Sequence, residues 1–70
     1  MNLQGRNLSI QLQGDDVKLL QNELHQLHLV IDDPVGFFGT ATRDAVLEFQ
    51  RIRGISPTGI VDEDTARRIN

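Results

Sequence analysis

His25 and His28, three residues apart and followed by Asp32 and Asp33, are the first side chains here whose types could do chemistry. Imidazole and carboxylate at that spacing suit zinc. A catalytic zinc, however, needs three protein ligands in fixed geometry, and this chain has no third histidine and no cysteine. No metal or other cofactor is expected. Ser9 and Ser56 have no base beside them in sequence, so nucleophilic catalysis finds no support. The acidic pairs Asp15/Asp16 and Glu63/Asp64 stand where helices begin, and their charge suits the positive end of a helix dipole. These groups predict a chain that is not an enzyme.

Chemistry of recognition is better represented. Gly36-Phe37-Phe38-Gly39 is an aromatic pair bracketed by glycines, feeding a helix that carries Arg43, Gln50 and Arg53. Phe38 pairs with Phe49 by pattern and belongs to the core. Phe37 points the other way in an extended segment. It is either a stacking surface for a sugar face or apolar peptide group, or an ordinary, partly covered surface residue. Arg43 and Arg53 suit a carboxylate. Gln50 offers a donor and an acceptor, either to a ligand or to a nearby loop.

Length and composition limit the rest. Seventy residues form one small domain, and without cysteine no disulfide can staple it. Hydrophobic residues are 39% and charged residues 24%, with clear periodicity, which indicates a folded chain. A formal charge of −3 with no basic cluster beyond Arg51/Arg53 and Arg67/Arg68 argues against nucleic acid or anionic membrane as a partner. No apolar run is long enough for a membrane span, and Met1–Asn7 lacks the apolar stretch of a secretory signal.

The elements that must position these residues are three helices. Residues 1–7 read as a loose tail, and Leu8, Ile10 and Leu12 alternate as a short extended segment ending at Gly14. Asp15 is expected to cap a helix over 15–28, with Val17, Leu20, Leu24 and Leu27 inward and His28 in a left-handed C-cap. Asp33-Pro34-Val35-Gly36 has the residues of a type I turn. A second helix follows, capped by Gly39 or Thr40 and stopped by Gly54, with Ala41, Ala45, Val46, Phe49 and Ile52 inward. Ser56-Pro57-Thr58-Gly59 is a further turn, Ile60 and Val61 return to the core, and Asp62 caps a short last helix with Ala66 and Ile69 inward. Thr42 and Thr65 are expected to serve the first turns of their helices. The expected fold is all-α: a compact three-helix domain over 14–70 after an N-terminal tail and extended segment over 1–13.

The chain also echoes itself. Gly36-x-Phe38-Gly39-x-x-Thr42-x-x-x-Val46 aligns with Gly59-x-Val61-Asp62-x-x-Thr65-x-x-x-Ile69, and Val17-x-x-Leu20-Gln21 with Val46-x-x-Phe49-Gln50.

Three ordered blocks resemble the small three-helix peptidoglycan-binding domain of bacterial wall hydrolases. They are Gly14-x-x-Val17-x-x-Leu20-Gln21-x-x-Leu24, then Gly36-x-Phe38-Gly39-x-x-Thr42-x-x-Ala45-Val46-x-x-Phe49-Gln50, then Gly54-Ile55-x-x-x-Gly59-x-Val61-Asp62-x-x-Thr65. The resemblance implies a non-catalytic wall-binding module that targets a linked domain. Its ligand would be the glycan or the stem peptide, and its place the cell envelope. It offers Gly36, Phe37, Gly39, Arg43, Gln50 and Arg53 as ligand contacts. Val35 stands where the family usually has Asp, and His28 where it often has Gly. The alternative is a protein-interaction or structural module of the same fold without wall binding, as in the prodomains of matrix metalloproteinases, with Leu19, Leu29 and Phe37 at the interface.

Overall fold

The computed structural model describes residues 1–69. It contains helices α1 (Asp15–Gln26), α2 (Thr40–Ile52) and α3 (Glu63–Arg68), and among the described residues extended pairing is limited to two isolated bridges. The fold is the expected all-α, three-helix arrangement. The expected domain end at Asn70 lies outside the described residues.

The core is built from apolar positions at helical spacing: Val17, Leu20 and Leu24 of α1, Ala45, Val46 and Phe49 of α2, and Ala66 and Ile69 at α3. Leu8, Phe38 and Val61 complete it from the connecting segments. Leu27 and Ile52, expected inward, are exposed at 39% and 65%, because each lies at the end of its helix where no element packs across from it. Ile60 is also turned outward, whereas Val61 is buried.

The N-terminal segment is neither loose nor a strand. Met1 and Leu3 pack against the core, and Arg6 grips Asp16 through Nε at 2.8 Å and Nη2 at 3.0 Å. Leu8 exchanges backbone hydrogen bonds with Val61, and the carbonyl of Phe38 accepts from Gln11 while its N–H donates to Leu12. Between these pairs the chain turns at Gln11, with φ 72°, and this throws Ile10 outward and breaks the expected alternation.

Both long helices stop in the same way. The residue after the cap is left-handed, His28 at φ 66° and Gly54 at φ 70°. Its N–H donates to the carbonyl three back, and the next residue reaches the carbonyl five back: Leu29 to Leu24, and Ile55 to Gln50. This is a Schellman motif, and Leu29 and Ile55 are the apolar residues that seal it against the core.

The helix starts differ from one another. Gly14, not Asp15, precedes α1 and offers no side-chain cap. Asp62 caps α3 directly, accepting from Thr65 N–H at 2.9 Å. Gly39 holds the matching place before α2, and its cap comes from Asp33, which accepts from Thr42 N–H at 2.6 Å and Ala41 N–H at 3.4 Å. A Cβ at Gly39 would stand 2.5 Å from Asp33 Oδ1, so the glycine supplies the space the distant carboxylate occupies.

Candidate functional site

The turn before α2 runs from Pro34 to Phe37, closed by Phe37 N–H to the Pro34 carbonyl at 3.1 Å. Gly36 is its third residue, with φ 83°, the left-handed position of a type II turn. The expected type I turn starting at Asp33 does not form, since the Gly36 N–H that would close it donates to Gln21 Oε1 instead.

Gln21 fixes this turn from α1. Its Oε1 accepts from Gly36 N–H at 2.8 Å, while Nε2 donates to the carbonyls of Phe37 (2.9 Å) and Pro34 (3.3 Å) and to Thr42 Oγ1 (3.1 Å). Gln50 repeats the arrangement one unit later. It accepts from Gly59 N–H at 3.0 Å and donates to Thr65 Oγ1, the Ile60 carbonyl and Thr58 Oγ1. The sequence echo is therefore a repeated device in which a buried glutamine ties a left-handed glycine to the threonine six residues after it. The two threonine hydroxyls serve this tie more than the local helical turn expected of them.

Three carboxylates brace the same framework. A hydrogen bond from Arg6 lowers the pKa of Asp16 against the opposing effect of burial, helped by the Val17 amide. Burial works to raise Asp33, but the hydroxyl and amide of Thr42 with the amides of Ala41 and Gly39 outweigh it and leave the pKa lowered. The Thr65 amide, again against burial, lowers Asp62.

Outside the pinned turn lies a groove of ≈ 510 Å³, bordered by Gln13, Gly14, Asp15 and Lys18 on one side and Pro34, Val35, Gly36 and Phe37 on the other. Gly36 and Phe37, two of the expected contacts, fall here. The other four do not. Gly39 is buried beneath Asp33, and Gln50 is only 1% exposed with its carboxamide engaged by the second turn. Arg43 lies along Gly59 and pairs with Asp44 at 3.3 Å, and Arg53 sits 5.5 Å from the centre of the Phe49 ring. Sequence reasoning missed Asp15 and Lys18 as groove residues. The available signal was that Lys18 is the chain's only lysine.

Among the described residues no three His, Asp or Glu side chains converge on a metal-sized site, and no helix is long and apolar enough to cross a membrane.

Comparison with known proteins agrees with this fold. The SleB N-terminal domain superposes with a TM-score of 0.90 over 97% of this chain and 93% of its own, at 24% identity, which speaks to the fold. The Burkholderia AP3 phage endolysin gives 0.86 at 32% identity, over 93% of this chain and 25% of that one. A fused Zn-dependent amidase/peptidase/peptidoglycan-binding domain-containing protein from Clostridium acetobutylicum ATCC 824 gives 0.81 at 28%, over 96% and 30%. No curated protein sequence is matched. The family described as "Putative peptidoglycan binding domain" matches residues 13–69, nearly the whole chain. With that match and its fold in agreement, the chain belongs to the peptidoglycan-binding domain family.

Proposed function

We propose that this chain is a non-catalytic module that binds peptidoglycan and holds a linked domain at the bacterial wall or envelope. The observation that carries this is the groove beside the Pro34–Phe37 turn, whose backbone is fixed by Gln21 before any ligand arrives. A wall presented by a rigid turn loses little conformational freedom on binding. Phe37 is half-buried at its edge and offers a ring to a sugar face or peptide group. Gly36 and Phe37 are direct contacts in this reading, Gly39 and Gln50 hold the framework, and Arg43 and Arg53 lie outside the groove. The larger size of the endolysin and the fused amidase supports a tethering role, in which weak binding raises a neighbour's local concentration.

Retention on purified sacculi tests the proposal. Wild-type protein should be held and Phe37→Ala released earlier. Retention no greater than that of an unrelated acidic domain would overturn it.

One observation favours the second reading, a protein-interaction module. Val30 and Val35, both in the connector before α2, are exposed at 85% and 77%. Under that reading Val35→Asp abolishes partner capture and leaves sacculus retention absent throughout.

A further inference from the structure

The charges bordering the groove are left over from the protein's own ion pairing. Among the described residues, Arg6, Arg43, Arg51, Arg67 and Arg68 each lie against a carboxylate, and Arg53 lies over Phe49. Lys18 has no such partner, and it borders the groove together with Asp15, whose carboxylate is likewise unpaired among the described residues. Spaced three apart on α1, the two occupy adjoining positions of one helix face. They present a cation and an anion side by side, both exposed, next to the half-buried Phe37.

An N-acetylglucosamine unit carries no charge and offers that pair only neutral hydrogen bonds. A peptide residue that keeps both a free ammonium and a free carboxylate matches both members. We propose that Lys18 and Asp15 make the groove selective for such a zwitterionic residue of the stem peptide. Lys18 takes the carboxylate, Asp15 the ammonium, and Phe37 packs on the carbon chain between them. This assignment rests on the wall-binding reading and narrows its ligand to the peptide.

The test is an amide-shift titration of the full chain with three probes. They are a muropeptide whose diamino acid keeps its free carboxylate and ammonium, the same muropeptide with that carboxylate amidated, and an uncharged glycan fragment made of N-acetylglucosamine alone. Wild-type protein should bind the free acid with shifts at Gly36 and Phe37. Lys18→Met should weaken it roughly threefold to tenfold, the range of a charged hydrogen bond at a wet surface. Amidation should weaken wild type by the same factor and add nothing in Lys18→Met, since both remove one interaction. Asp15→Asn should likewise weaken the free acid and leave any binding of the glycan fragment unchanged.

Both side chains are exposed, so the variants are expected to keep the wild-type core shifts, and those shifts report folding independently of binding. Unchanged affinity of Lys18→Met for the free acid, or equal shifts from the glycan fragment alone, would overturn the charge assignment and leave wall binding standing. Failure of all three probes and of sacculi would remove the wall-binding reading, and this one with it.

Discussion

Gln21 Oε1 accepts the amide hydrogen of Gly36 at 2.8 Å across fifteen residues of sequence, and Gln50 does the same for Gly59 at 3.0 Å across nine. Neither glutamine leaves a buried polar atom unsatisfied. Replacing Gln50 with Leu takes the buried Gly59 N–H and Thr65 Oγ1 from their partner, while the exposed Thr58 hydroxyl and Ile60 carbonyl keep the bond they share. The expected cost is about 2–4 kcal/mol, enough to unfold much of a domain this small. Gln21→Leu should cost less stability, since its ties are nearer the surface, but it should weaken sacculus retention. Urea titrations paired with pull-down separate the two outcomes.

The two phenylalanines of the turn should part company. Phe38 is fully buried, and Phe38→Ala should cost about 3–5 kcal/mol and leave little folded protein. Phe37→Ala should stay folded and lose wall retention. Circular dichroism of both, read beside binding, decides it.

The caps of α2 and α3 can be exchanged by design. Asp33→Ala should destabilise by about 1–2 kcal/mol through loss of the α2 cap. Gly39→Asp in the same chain should restore much of that loss, because Asp would then stand where Asp62 stands before α3. Gly39→Asp with Asp33 still present should be worse than either, its Cβ meeting the carboxylate. Thermal midpoints of the three variants supply the comparison.

His28 holds a left-handed backbone that glycine adopts freely. His28→Gly should therefore stabilise by about 0.5–1 kcal/mol, raising the melting midpoint by a few degrees. Val30→Gly, two residues on and outside the motif, should show no gain.

Acid should unfold the protein in a defined direction. Asp16, Asp33 and Asp62 all have folded pKa values below their ordinary value of 3.8. Their stabilising contribution is then complete above that value and is lost as pH falls through the lowered ones. Urea midpoints should be nearly level from about pH 7 to 5 and fall below about pH 4. Asp16→Asn should flatten part of that fall.

Much of this architecture was legible in the residues. Val17, Leu20, Leu24, Val46 and Phe49 declare two helix faces by spacing, and Gly54 declares a stop. The C-cap at His28 was legible too, from the place where the periodicity ends. Local pattern failed where a side chain acts at a distance. Asp33-Pro34-Val35-Gly36 fits a turn starting at Asp33, but Gln21 of α1 takes the Gly36 N–H that would close it. Leu27 and Ile52 continue the helical period but meet nothing across from them. The candidate contacts divided on the same principle. Gly36 and Phe37 reached the groove because chain geometry puts them there, whereas Gly39 answers to Asp33, six residues before it, and Gln50 to Gly59, nine residues after it.

Thr42, at the beginning of α2, receives the tie from α1, and Gln50, near its end, sends the tie to α3. The middle helix thus belongs to both near-copies at once. A chain cut in either connector leaves a buried glutamine with no turn to hold, or a turn with no glutamine. Neither half should persist as a folded fragment, so amide exchange should show both turns opening together in one cooperative step.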